Sequence, residues 1–396
     1  MRPIPGSGPA QGVSVTLLHP SDLQPDQAAA WMALCLAHED YRSPLLMPDF
    51  AKLAAKGRPD ARVALISDSQ GLACVFAFYK RALGKAWPIG APFCDYAALV
   101  MRADADLDLP EILALAGVSS FSTQSLLDPW DRFTNLRRAP VETHVIRLGG
   151  EDPAAYLESR RRAFAKRFKN FRRLEGRMLK DGHAPQLRWG ALDTATKEAL
   201  FSIKSSQFRQ NGLVDIIQAS RSGAILDGVA ASPAGFQVSL WAGDRLVAGH
   251  FGPRQGEAFH PWIAAYDPAF SEYSPGNLFL MRAIAAMGEM GLTTYDLADG
   301  SDHYKKYFAN AHRTIWTVEA TVPGIAGACH GALHGALRAA GGPAAASPVN
   351  RLRRRLAHGA MCEAHLPARV SDITGAFLHR GLRAGGPPHE TSAASD

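Results

Sequence analysis

Paired cysteines are missing from this sequence. Its five cysteines, Cys35, Cys74, Cys94, Cys329 and Cys362, lie far apart with no CxxC pair. That excludes a disulfide framework and reads as reduced, mostly buried thiols. Long apolar runs are missing too: no uncharged stretch approaches the roughly 20 residues that a membrane span needs. The opening MRPIPGSGPAQGVSV has no apolar signal core, so the expected location is cytoplasmic. Charge imbalance is absent from most of the chain. Of the net +6 on 396 residues, the stretch 158–181 holds ten Lys or Arg and three Asp or Glu, leaving 33 basic against 34 acidic residues elsewhere. The protein is near neutral with one basic helix, which rules out a generally basic nucleic-acid coat.

What is present is an internal echo. Residues 63–79, VALISDSQGLACVFAFY, read as strand, tight turn, strand, and residues 238–252, VSLWAGDRLVAGHFG, read the same way around Gly243 and Asp244. Each hairpin is followed by an aromatic-rich extended segment carrying a Tyr/Asp pair: PFCDYAALV with Asp95 and Tyr96, then HPWIAAYDPAF with Tyr266 and Asp267. Two copies of one β-meander about 175 residues apart predict tandem, related domains. The expected boundaries are 1–150, 151–320, and an Ala/Gly-rich tail over 321–396. Helical periodicity covers 26–40 and 193–211. A long basic helix is expected over 153–180, with Phe164, Phe168, Phe171, Leu174 and Met178 as its packing stripe and its arginines in solvent. A further helix is expected over 274–291, with Ser274 as N-cap, Pro275 at the first position and Gly291 at the end.

The stretch YDLADGSDHYKKYF, residues 295–308, gathers Asp296, Asp299, Tyr304 and Lys305 just past a short apolar strand. Ligand sites of open sheets commonly form at strand C-terminal ends. The competing reading is a salt-bridged turn that locks the strand.

The string running from Tyr266 and Asp267, through Ser274, Pro275 and Gly276, to Asp296, Asp299, Gly300, Tyr304 and Lys305 resembles the FemAB-like or CelD-type acyltransferases of the GNAT superfamily. The resemblance covers roughly residues 60–320. It implies an α/β (α+β) fold of two tandem GNAT-like domains, each a mixed, mainly antiparallel sheet flanked by helices. It also implies transfer of an acyl group from acyl-CoA, such as acetyl-CoA, onto an amine. In CelD-type members the acceptor is often an amino sugar of an exopolysaccharide or holdfast precursor; aminoacyl-tRNA is the alternative donor in other branches, on peptidoglycan precursors. The superfamily's usual pyrophosphate loop, Arg/Gln-x-x-Gly-x-Gly/Ala, is absent here, and YSPGNLFL stands in its place. CoA as donor therefore follows from the resemblance and not from a motif. A non-catalytic domain pair that binds polysaccharide or a nucleotide signal is the reading of another class.

Acyl transfer to an amine needs a neutral amine, a polarised carbonyl, a positioned donor and a protonated leaving group. His250 and Asp267 are the expected bases, Tyr304 the proton donor to the leaving thiolate, and Lys305 a partner of Asp296 or of a phosphate. Ser274, Gly276 and Asn277, at a helix N-terminus, are the expected donor contacts. Asp95, Tyr96, Trp262, Tyr266, Asp296 and Asp299 are the expected acceptor contacts. The acceptor implied by the resemblance is a polysaccharide or lipid-linked sugar, and helix 158–181 would meet an anionic inner-membrane surface or, competing with it, tRNA. Arg351, Arg353, Arg354 and Arg355 would clamp a phosphorylated regulator such as a cyclic dinucleotide, against the alternative of a solubilising patch. No metal is expected; His330, His334, His358 and Cys362 have ligand-like spacing without a visible second shell.

Overall fold

In the computed structural model, residues 12–300, 304–322, 356 and 358–364 are described. The strands are β1 (Ser14–Leu18), β2 (Ala61–Asp68), β3 (Gly71–Lys80), β4 (Lys85–Pro88), β5 (Ala97–Met101), β6 (Ser120–Leu127), β7 (Arg138–Glu142), β8 (Val145–Arg147), β9 (Pro185–Gly190), β10 (Gly235–Ala242), β11 (Arg245–Gln255), β12 (Ala258–Phe259), β13 (Ile263–Tyr266), β14 (Thr294–Asp296) and β15 (Thr314–Thr321). The helices are α1 (Pro25–Ala37), α2 (Pro48–Ala55), α3 (Leu109–Leu115), α4 (Pro153–Ala163), α5 (Ala165–Lys180), α6 (Thr194–Gln210), α7 (Ser220–Ala230), α8 (Pro275–Ala285) and α9 (Lys305–Phe308).

Two mixed, mainly antiparallel sheets form an α/β protein. The first runs β1-β2-β3-β4-β6-β15-β7, with β5 pairing β3 and β6; the second runs β8-β14-β12-β11-β10-β9, with β13 pairing β11. Sheet membership crosses the expected boundaries near 150 and 320 twice. β8 joins the second sheet, and β15 returns to the first, inserted between β6 and β7.

The echo in the sequence is a repeated structure. Hairpins β2–β3 and β10–β11 each carry a register shift next to the turn, at Ile66/Ser67 and Leu240/Trp241. The third strand of each meander then pairs antiparallel from the corresponding place, β5 on Cys74–Phe76 and β13 on Ala248–Phe251. The Tyr/Asp pairs do not correspond, however. Asp95 and Tyr96 precede β5, whereas Tyr266 ends β13 and Asp267 follows it. Pairing Met101 with Cys74 and Tyr266 with Ala248 instead makes His260 the counterpart of Asp95.

The two copies differ in one respect that places the site. In the first, β5 bonds to β3 on one side and to β6 on the other, so the sheet is closed. In the second, β13 bonds to β11 alone, while β14 bonds to β12 and β8. The sheet is split between β13 and β14. Gly252 makes the split possible, because the chain turning from β12 into β13 passes directly over it. A Cβ there would lie 2.1 Å from the His260 carbonyl oxygen and 2.8 Å from Pro261 Cα, closer than any side chain tolerates.

The expected long basic helix is two helices. Phe164, at φ −130°, ends α4 and begins α5, and its ring packs edge-on against Tyr307. Beyond the break Phe168, Phe171, Leu174 and Met178 are buried, Phe168, Phe171 and Met178 in one core with α8 and Phe308, each contributing roughly 1.5–3 kcal/mol of burial. Helix α8 is shorter than the spacing predicts, ending at Ala285 before a run of turns to Gly291. Arg351, Arg353, Arg354, Arg355, His330 and His334 lie outside the described residues. Of the tail, residues 358–364 dock on α7: the Glu363 carboxylate accepts from Ser220 N–H (2.9 Å) and Ser220 Oγ (2.5 Å). His358 Nε2 lies 3.5 Å from Cys362 Sγ. Among the described residues no group of three or more His, Cys, Asp or Glu side chains is placed to hold a metal, and no helix is long and apolar enough to cross a membrane.

Candidate active site

The split between β13 and β14 opens into a cavity of about 710 Å³. Its walls come from β11 (Ala248, His250), from β13 and the turn before it (Pro261 to Tyr266), from the start of α8 (Ser274 to Asn277), from the chain after β14 (Leu297 to Asp299), and from Tyr304 and Lys305. Lys204 and Gln207 of α6 complete it, and Asp95 reaches it from the first half of the chain. The corresponding space beside Phe76 and Tyr96 in the first meander holds only about 20 Å³. One copy of the unit is packed shut and the other is open.

His250 is 8% exposed and flanked by Phe279, with its Nδ1 2.8 Å from the Tyr295 hydroxyl. Burial, reinforced by the positive charges of Lys305 and Lys204, lowers its pKa to about 3. The ring is therefore neutral at physiological pH. The expectation of a base poised near neutrality gives way to a neutral hydrogen-bonding imidazole, because desolvation penalises the charged form.

Lys305 is buried and does not pair with Asp296. Its Nζ donates to the carbonyl oxygens of Leu297 (2.9 Å) and Asp299 (2.5 Å), pinning the chain after β14 as one wall of the cavity. Lys204 Nζ donates to the Ala264 carbonyl oxygen (2.9 Å) on β13. Ser274 stands at the N-cap of α8 as expected, but in the left-handed region (φ 53°), and its side chain makes no capping bond. The Asn277 Oδ1 atom is buried without a hydrogen-bond partner among the described residues. Trp262 stacks on Phe93 with ring centroids 4.7 Å apart. Asp267, the other expected base, is not on the cavity wall. It caps the turn at Pro268–Tyr273 through the Ala269 N–H (2.9 Å) and pairs with Arg245 (2.6 Å).

Asp296 and Tyr96 lie behind the cavity, in a buried polar cluster that joins the two sheets. Tyr96 donates to Asp296 Oδ1 (2.8 Å) and lies 3.1 Å from Thr143 Oγ1. Arg313, 2% exposed, pairs with Asp296 Oδ2, and the Ala298 N–H donates to Asp296 Oδ1 (2.9 Å). His260 is fully buried; its Nε2 is 2.9 Å from Asp95 Oδ2 and its Nδ1 is 3.8 Å from Asp296 Oδ2. Burial alone would raise the pKa of Asp296. The charges of Arg313 and His260 outweigh burial and hold the carboxyl well below the usual range. Burial likewise pushes His260 down, yet the carboxylates of Asp296, 3.8 Å from Nδ1, and of Asp95, hydrogen-bonded at Nε2, raise it to about 9. Reading the sequence missed His260 and Arg313. His260 sits inside the quoted HPWIAAYDPAF, but its partner is 165 residues away; Arg313 carries no local signal beyond a lone cation before an apolar strand.

Residues 165–306 match the family model described as an acetyltransferase (GNAT) domain. This segment is similar to a GNAT acetyltransferase domain. It contains β9 to β14 and the cavity's α8 and Asp299 walls, so the GNAT match and the split sheet fall on the same part of the chain. No curated protein matches the sequence. Among solved structures, FemX has 11% identity over 74% of this chain and 96% of its own, with a TM-score of 0.47. L-PGS from Bacillus licheniformis has 10% identity over 76% and 93%, at 0.42. A tandem GNAT protein from the clavulanic acid biosynthesis pathway has 11% identity over 78% and 98%, at 0.41.

Proposed function

We propose that this acyltransferase moves an acyl group from acyl-CoA to the amine of an amino sugar on an exopolysaccharide or adhesin precursor. The observation that carries the reading is the split sheet: a GNAT domain opened between β13 and β14 into a cavity lined by carboxylates, lysines and phenols. The edge of β13 turned away from β11 has no strand partner among the described residues. An extended arm bearing amide groups, as in CoA, would pair with such an edge. The donor's phosphates would meet the backbone N–H groups at the start of α8, around Gly276 and Asn277, where the helix dipole favours negative charge. The thioester carbonyl would then lie toward His250, whose neutral ring can donate a hydrogen bond to the oxygen as charge develops there. Tyr304 would protonate the departing thiolate. Lys305 acts by fixing the loop from Leu297 to Asp299.

The amino-sugar acceptor is supported by the resemblance of the Tyr266–Lys305 string to CelD-type proteins and by the acidic groups Asp95 and Asp299 on the cavity wall, which suit an ammonium. The exposed Lys166, Lys169, Arg172 and Arg173 on α5 favour an anionic surface beside the site, where a lipid-linked precursor would be held. The same face is what supports the aminoacyl-tRNA reading, which predicts salt-sensitive tRNA binding.

Titration calorimetry with acetyl-CoA, followed by thiol release in the presence of glucosamine, tests the proposal. Donor binding with amine-dependent thiol release is expected. No heat with acetyl-CoA, together with tight binding of tRNA that weakens with salt, would move the reading to the tRNA-dependent reaction.

A further inference from the structure

The first meander is closed by β5, so its contribution to the chemistry has to come from what it lends to the second. Among the described residues it lends one to the cavity wall, Asp95. Asp95 occupies in its meander the place that His260 occupies in the second, and these two counterparts meet at 2.9 Å across the junction of the sheets. The Asp95 side chain is 37% exposed whereas that of His260 is fully buried, so the pair is wet at one end and dry at the other. Behind His260, Asp296 and Arg313 form a buried ion pair. Tyr96, the residue next to Asp95, donates into Asp296 and anchors the same loop from within. A carboxylate on a mobile surface loop would be a poor reference point for catalysis; this one is fixed by a chain of buried charges rooted in both sheets.

We propose that Asp95 is the acceptor-amine site of the reaction, binding the incoming ammonium and taking its proton, and that His260 is the residue that positions Asp95. The inference rests on the acyl-transfer reading above and adds the residue that makes the nucleophile. His250 is hydrogen-bonded to Tyr295 in a desolvated pocket and Asp267 is engaged by Arg245 away from the cavity. Of the acidic groups on the wall, Asp95 alone has a buried partner of opposite charge holding its orientation, while Asp299 is exposed. The ammonium gives one proton to Asp95, and the freed lone pair attacks the thioester carbon. The C–N bond forms, the C–S bond breaks, and the thiolate leaves. Two protons depart from the nitrogen in all: one reaches the thiolate through Tyr304, and Asp95 passes the other to water. No oxidant or reductant is involved.

The test uses the full chain with acetyl-CoA and glucosamine as probes, comparing wild type, Asp95→Asn and His260→Gln. Asp95→Asn should bind acetyl-CoA as wild type does and bind glucosamine at least about tenfold more weakly, with kcat down by about 10²–10⁴, the range for a lost general base. Its residual rate should climb about tenfold per pH unit up to the pKa of the amine, since solvent must then remove the proton. A loss of mere structure would not produce that slope. His260→Gln should lower kcat by about 10², the scale of a roughly 1 Å misplacement, with donor affinity kept. Wild-type glucosamine affinity and turnover in Asp95→Asn would overturn the proposal, as would a wild type that binds acetyl-CoA but not glucosamine. A wild type that fails to bind acetyl-CoA would instead remove the reading on which it rests.

Discussion

Replacing His260 by glutamine should change how the stability of the protein depends on pH. His260 is fully buried between Asp95 and Asp296, and its pKa is raised from its ordinary 6.5 to about 9. A histidine whose pKa is higher in the folded than in the unfolded chain stabilises the fold in its charged form. That contribution is complete below about pH 6.5 and is lost as the pH rises through about 9. A rise of this size corresponds to roughly 3 kcal/mol at about 1.4 kcal/mol per pKa unit, of which about 2 kcal/mol should disappear between pH 6 and 8.5. For a chain of this size, with an unfolding entropy of about 2.1 cal/mol/K per residue, each kcal/mol moves the thermal midpoint by about 1 °C, so the wild-type Tm should fall by roughly 2–3 °C over that interval. Burial pushes the thiols of Cys35, Cys74 and Cys94 up in the fold, so their unfolded-state ionisation adds a decline of its own near the top of this interval, equally in wild type and variant. Differential scanning calorimetry of wild type and His260→Gln in matched buffers reads the difference. The variant should start lower at pH 6 and show a nearly flat Tm. A variant with the same decline as wild type would refute a charged His260 and with it the electrostatic account of the junction.

Gly252→Ala should cost about 1–3 kcal/mol, the range for forced overpacking, because the new Cβ meets backbone atoms of His260 and Pro261 that have no rotamer to yield; an unfolding free energy within about 0.5 kcal/mol of wild type by denaturant titration, the scale of a neutral surface change, would contradict the close crossing. Lys305→Met strips the buried Leu297 carbonyl oxygen and the part-buried Asp299 carbonyl oxygen of their donor and should destabilise by about 1–3 kcal/mol while weakening acetyl-CoA binding, measured by denaturation and calorimetry. Because His250 is held to about 3, the pH profile of kcat/KM should show no limb near 6.5 that His250→Gln removes.

The repeated meander was legible because each hairpin announces itself locally, by alternation and by a turn glycine such as Gly243 (φ 64°). The stripe of Phe168, Phe171, Leu174 and Met178 was legible for the same reason, since helical periodicity is a local property. Most of the residues singled out for chemistry do meet in one cavity: His250, Trp262, Tyr266, Ser274, Gly276, Asn277, Asp299, Tyr304, Lys305 and Asp95. What sequence could not supply was pairing over long range. Lys305 turned out to be satisfied by carbonyls and not by Asp296, whose partner is Arg313. Asp267 looks like part of the string yet faces Arg245. The Tyr/Asp echo misled because two similar dipeptides sat at different distances from their strands, a shift of register that only the hydrogen-bond ladder reveals.

The place of β15 has a bearing on how the molecule is made. The first sheet has a gap between β6 and β7 that only residues 314–321 fill. During synthesis the leading half must therefore wait, with two bare strand edges, until nearly two hundred later residues have left the ribosome. Such edges invite association with other nascent chains. Severing the gene near its midpoint would accordingly give two fragments that are soluble together and aggregate apart.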